Sequence, residues 1–128
     1  MPLDHNVVLV YNVDMPGPPP VYLGEFEQIV LLAILRLGRD ANGVAIARDL
    51  EAQAGRAVSR SSLYTTLDRM EQKQLVRWKI GVGGEERGRL PRRVYTLTAR
   101  GLASIRAAHR VFRKMTVGLD DLLEEPKS

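Results

Sequence analysis

The stretch Glu25–Leu37 limits the fold more than any other part of the sequence. Phe26, Ile29, Val30, Leu31, Leu32, Ile34, Leu35 and Leu37 crowd into it, so a helix there is apolar on most sides and has to be surrounded by other elements. Gly38 is placed to end it in a left-handed cap. A chain of 128 residues has room for one such core, with at most an arm or an extra helix beside it. Hydrophobic residues at 45% and charged residues at 27% are the composition of a folded domain.

The surrounding elements can be read in order. The turn Asp40-Ala41-Asn42-Gly43 leads to a second helix in which Val44, Ala47, Leu50 and Ala54 share a face, with Ile46 beside them and Gly55 closing it. Ser59 is a suitable N-cap for a third helix that reaches about Lys73 and turns Leu63, Leu67 and Met70 inward. On the same wheel Ser61, Thr65, Arg69 and Gln72 point the other way, and such a front of small polar and basic groups fits a DNA major groove. Residues 75–80 then read as a strand and residues 92–97 as its return partner, with Gly81, Gly83, Gly84 and Gly88 in a long hairpin tip. Thr98 can cap a last helix in which Leu102, Ile105, Ala108 or His109, Phe112, Met115 or Thr116, and Leu119 step by threes and fours, as a coiled-coil seam requires, a stripe that packs on another copy or on the long face of the first helix.

The predicted fold class is mainly α with a small β-hairpin, a winged helix-turn-helix domain plus a C-terminal dimerisation helix. Its boundaries are residues 1–22 as an N-terminal arm, 23–98 as the domain, and 99–128 as the dimerisation helix and acidic tail. The arm combines a β-prone run, Val7-Val8-Leu9-Val10-Tyr11, with Met15-Pro16-Gly17-Pro18-Pro19-Pro20, a proline density that favours extended backbone outside the core. Met15 is a second candidate for the start of the chain.

Between residues 56 and 100 stand eleven Lys/Arg and four Asp/Glu, a local excess of seven in a chain of net charge +4. A basic segment in an otherwise balanced chain suits a polyanion partner. The absence of cysteine removes disulfides, thiolate nucleophiles and zinc-thiolate sites, and suits a cytoplasmic protein. The apolar run at residues 7–11 is too short for a membrane span, so no membrane partner is expected. No nucleophile–base pair, phosphate loop or metal-spaced ligand set is present, so neither catalysis nor a cofactor is expected. Asp120, Asp121, Glu124 and Glu125 after Gly118 read as a solvated tail, not a metal site.

The segment Ser59-Arg60-Ser61-Ser62-Leu63-Tyr64-Thr65-Thr66-Leu67-Asp68-Arg69-Met70-Glu71-Gln72-Lys73-Gln74-Leu75-Val76 resembles the recognition helix of PadR-family transcriptional regulators. Pro91-Arg92-Arg93-Val94-Tyr95-Thr96-Leu97-Thr98-Ala99-Arg100-Gly101 resembles that family's second wing strand and the cap of its C-terminal helix. The resemblance spans roughly residues 23–114 and implies the short form with one C-terminal helix: a homodimeric repressor on a two-fold symmetric site in double-stranded DNA. Two positions depart from the family. Gln74 stands where glycine is frequent, which weakens the sharp turn expected after the third helix. Asn42-Gly43-Val44 replaces a His-Gly-Tyr turn, removing an aromatic that can line an effector pocket, so no residue is assigned to a small-molecule effector.

The residues expected on DNA are Arg60, Ser61, Ser62, Tyr64, Thr65, Arg69 and Lys73 on the third helix and Arg87, Arg89, Arg92 and Arg93 in the wing. Ser61 and Thr65 are the base readers, and the cations meet phosphate, with Arg92 and Arg93 of the wing on phosphates or in the minor groove. Tyr64 has two readings, packing on the second helix or reaching a phosphate. Trp78 is expected to pack on the core from the wing strand. The dimer interface is expected at Leu102, Ile105, His109, Phe112, Met115 and Leu119, with His109 a buried structural histidine. The competing function is a winged-helix protein-binding module, which should present exposed Leu, Phe or Trp anchors where this third helix presents Ser, Thr, Arg and Gln.

Overall fold

The computed structural model describes residues 18–81 and 91–125. Its elements run α1 (Glu25–Leu37), a single 3-10 turn (Gly38–Asp40), α2 (Gly43–Ala54), α3 (Arg60–Gln72), β1 (Val76–Gly81), β2 (Arg92–Leu97), α4 (Ala99–Met115) and α5 (Asp120–Leu123). This is a mainly helical winged-helix arrangement with a two-stranded antiparallel hairpin.

The ends of the helices are set by the residues that sequence logic picks out. Ser59 accepts the Ser62 N–H at 3.1 Å and Thr98 accepts the Gly101 N–H at 3.0 Å, so each satisfies a first-turn donor that has no helical partner. Asn42 does the same for α2, accepting from the Ala45 N–H at 2.9 Å. The turn before α2 also borders the hairpin. Tyr95 N–H donates to the Ala41 carbonyl at 2.9 Å, and Asn42 bridges Val94.

α1 lies at the centre, as its composition demands. Val30, Leu31 and Ile34 are buried against Ile46 and Leu50 of α2, Leu63, Leu67 and Met70 of α3, and Tyr95 and Leu97 of β2. α4 completes this core with Leu102 and Ile105, which are 4% and 6% exposed.

The turn after α3 forms in spite of Gln74. The Leu75 N–H returns to the Met70 carbonyl at 2.8 Å and the Gln74 N–H to the Glu71 carbonyl at 2.9 Å, the bond pair of a Schellman cap. Gln74 supplies the left-handed residue with φ +64°. Thr98 Oγ1 donates to the Gln74 carbonyl at 2.5 Å and Arg100 Nη1 to its side-chain oxygen at 3.3 Å, which holds the turn from outside.

Where the expected arm meets the domain, the chain is held at Val21 and Leu23, while Pro19, Pro20 and Tyr22 are exposed. Leu23 is buried, and the Val21 N–H donates at 2.9 Å to Oγ of Ser104, itself buried in α4. At the other end, α4 stops at Met115, and Gly118 at φ +80° turns the chain before Leu119. Leu119 therefore precedes α5 and does not continue the α4 stripe. No helix among the described residues is long and apolar enough to cross a membrane.

Candidate nucleic-acid interface

α3 buries Leu63, Thr66, Leu67 and Met70. At 100° per residue the stripe opposite them is Ser61, Thr65, Asp68 and Gln72, and all four are exposed. Arg60 and Ser62 are exposed beside it in the first turn. Tyr64 is half-buried against the start of α2: a Cβ on Gly43 would overlap the Tyr64 hydroxyl. The packing reading of Tyr64 is thus the one the structure carries.

Arg69 and Lys73 depart from the expected wheel. Both turn toward Glu27 of α1, with Lys73 Nζ at 2.9 Å and Arg69 Nε at 3.8 Å from Glu27 Oε2. The Glu27 side chain is only 9% exposed and also accepts the Gly24 N–H at 3.1 Å. Burial opposes its ionisation, but the Lys73 and Gly24 hydrogen bonds and the charges of Lys73 and Arg69 outweigh it and hold the carboxyl below the usual range. These two cations tie α3 to α1 instead of standing free on the front. Asp68, which the sequence reading passed over, occupies the place on the stripe given to Arg69.

In the hairpin, Val76, Trp78 and Ile80 share a face with Leu97, Tyr95 and Arg93, through the register Val76 to Leu97, Trp78 to Tyr95 and Ile80 to Arg93. Arg93 lies diagonally over the Trp78 ring, 4.1 Å from its centroid, and its Nη1 is 3.8 Å from Oδ1 of Asp68. Trp78 packs at the edge of the core, as expected, and its Nε1 donates to Glu71 Oε1 at 3.1 Å. The root of the wing is thereby stitched to α3. Beneath it the Tyr95 hydroxyl is buried, and burial pushes the phenol above its ordinary pKa. Arg92 lies on the opposite face of the hairpin with Arg77 and Lys79. Arg87 and Arg89 lie outside the described residues.

The expected dimer residues separate into two groups. Leu102 and Ile105 are covered by their own domain, because α4 closes the core over Leu97 and Leu75; of the two packings expected for the stripe, another copy or the first helix, these two residues take the one within the domain. His109 is exposed on a face lined by Arg106, Arg110, Arg113 and Lys114, not buried on the apolar stripe. Phe112 and Met115 are 69% and 71% exposed, and Val111 is 59%. With Pro20, Val21 and Tyr22 they border an apolar groove of about 470 Å³ along α4.

The PadR-like transcriptional regulator family model matches residues 31–107, more than half of the sequence. The chain belongs to the PadR-like family. A PadR family regulator from Eggerthella lenta is similar to it in structure, with 28% identity and a TM-score of 0.55 over 80% of this chain and 88% of that one. A PadR-like regulator from Bacillus cereus has the same fold at 19% identity, with a TM-score of 0.62 over 79% and 93% of the two chains. Bacillus subtilis PadR, solved in complex with operator DNA, matches at 19% identity with a TM-score of 0.50 over 81% of this chain and 51% of that one. No curated protein sequence matches the chain. Within the PadR-like frame, α3 is the second helix of the helix-turn-helix and the β1–β2 hairpin is the wing.

Proposed function

We propose that this PadR-like chain is a cytoplasmic, sequence-specific regulator that binds a two-fold symmetric site in duplex DNA as a homodimer and represses by occupying it. The observation that carries this is the exposed front of α3, where Ser61, Thr65 and Gln72 are short or flexible hydrogen-bonding groups with no apolar anchor among them. Such a surface reads base edges and offers little to a protein partner. Arg60 and Ser62 in the first turn of α3, and Arg87, Arg89 and Arg92, supply phosphate contacts. The solved complex of Bacillus subtilis PadR with operator DNA is in keeping with this reading.

Homodimerisation is assigned to the far half of α4, where Val111, Phe112 and Met115 stand in solvent. Burying each such side chain contributes roughly 1.5 to 3 kcal/mol, so a second copy laid on this groove stabilises both. The test is selection of bound sites from a random duplex pool by the purified protein, with sedimentation of the free protein alongside. A two-fold symmetric motif and a dimeric mass are expected. A monomer that enriches no sequence refutes the reading and favours a protein-binding module.

A further inference from the structure

Asp68 is an anion on the surface that the proposed function turns toward DNA. It lies on the same stripe as Ser61, Thr65 and Gln72, its side chain is 58% exposed, and its one described ion pair is the 3.8 Å contact with Arg93 of the wing root. Arg93 is itself 43% exposed and rests on Trp78. Half-exposed ion pairs of that length are weak and are exchanged readily for a better partner. A phosphate is such a partner for a guanidinium, because it offers two oxygens to the planar fork.

We propose that Asp68 is a specificity-determining residue that admits cytosine opposite it and rejects other bases, an inference that rests on the DNA-binding reading above. In the free protein Arg93 neutralises Asp68, so the α3 front carries little net repulsion toward a polyanion. Once Arg93 moves to the backbone, a bare carboxylate faces the major-groove edges. A carboxylate only accepts hydrogen bonds. Guanine presents two acceptors there and thymine an acceptor and a methyl group, so neither has a donor to offer. Adenine has an amino group, but its N7 acceptor lies beside it and repels the carboxylate. Cytosine presents the N4 amino donor and suits Asp68. At any other base the charge is desolvated without a partner, which is costly. The residue therefore gains its effect from exclusion as much as from attraction.

The experiment compares the wild type with Asp68→Asn and Arg93→Ala in the same random-pool selection, followed by titration of each protein with its selected duplex and with unselected duplex. Asp68 is exposed and outside the core, so Asp68→Asn is expected to fold normally, which its circular dichroism and melting curve verify. The wild type is expected to require a C·G pair at one position of each half-site. Asp68→Asn is expected to lose that requirement or shift it toward adenine, which suits an amide that both donates and accepts. It is also expected to bind unselected duplex about tenfold more tightly. If Asp68→Asn selects the wild-type motif and binds unselected DNA no more tightly, the inference is overturned. If it weakens all sequences alike, as Arg93→Ala is expected to do, Asp68 only positions the wing and the inference also falls. A wild type that enriches nothing overturns the DNA-binding reading itself, and a wild type with a motif but no required C·G pair overturns this inference alone.

Discussion

α3 and α4 divide their work differently, α3 between two faces and α4 between two ends. α3 buries Leu63, Thr66, Leu67 and Met70 along its length and ties Arg69 and Lys73 to Glu27 at its C-terminal end, while the opposite face leaves Arg60, Ser61 and Thr65 in solvent. α4 divides lengthwise. Its first two turns bury Leu102, Ser104 and Ile105, and its last two expose Phe112 and Met115. The two committed ends meet at Gln74-Leu75, where Thr98 caps α4 against the close of α3. A helix can thus carry one continuous pattern in sequence and still serve stability at one end and recognition at the other.

The largest effect is expected where the committed ends touch. A Cβ on Gly101 would overlap the Leu75 carbonyl oxygen, a backbone atom that cannot rotate aside. Gly101→Ala is expected to lower unfolding free energy by about 3 kcal/mol, at the top of the overpacking range, as measured by urea denaturation. An unchanged midpoint would mean that α4 does not dock as described. Phe112→Asp acts at the open end and is expected to abolish the dimer, which sedimentation reads directly, and with it the dependence of the urea midpoint on protein concentration. If the variant unfolds more easily than wild type diluted to the monomer, Phe112 belongs to the committed half and the division of α4 is wrong.

Glu27→Gln probes the committed end of α3. The amide keeps one acceptor oxygen but loses the charge and the second, and this is expected to cost roughly 1.5 kcal/mol at pH 7, the low end for bonds to a charged group because Lys73 and Arg69 are about half exposed. Since the folded carboxyl is held below its unfolded value, this stability is fully present above the ordinary carboxylate range. It is lost as pH falls through the lower folded pKa. Urea midpoints of wild type and Glu27→Gln should therefore differ at pH 7 and draw together as the pH falls below the ordinary carboxylate range. A constant gap would show that the charge of Glu27 plays no part.

The smallest expected effect is a gain. Gln74→Gly relieves a left-handed residue and should stabilise by about 0.5 to 1 kcal/mol, with part of the benefit offset by the greater freedom of glycine in the unfolded chain. A loss of stability on this change would mean that the Arg100–Gln74 contact outweighs the strain.

Local signals carried most of the fold into the sequence. The caps Ser59 and Thr98, the closing Gly55, and the inward spacing of Leu63, Leu67 and Met70 all act within a few residues of themselves, and each took the place expected of it. Gly38 does end α1, but at φ +58° and ψ −120° it is not the left-handed cap expected, and the chain runs on into the 3-10 turn. The errors concern what covers a surface. Glu27 lies 46 residues from Lys73 in sequence, so nothing near Lys73 could mark it as paired. On α3 the reading put Arg69 on the front in place of Asp68, although 100° per residue from the buried Leu63, Leu67 and Met70 already favours Asp68. For α4, the stripe showed that Leu102 and Phe112 are both apolar but not that the core ends between them. His109 followed the same mistake, placed on a stripe whose geometry has already turned away.

Trp78 is the only tryptophan of the sequence, and it sits at the joint of wing and α3 with the Arg93 guanidinium on its face and Glu71 on its N–H. Its emission therefore comes from a single place, the place where the proposed regulator must rearrange when Arg93 exchanges Asp68 for a phosphate. Unlabelled protein carries its own optical gauge of wing engagement. A spectral shift on adding duplex, followed in time, would separate the first encounter with the backbone from the later seating of the hairpin.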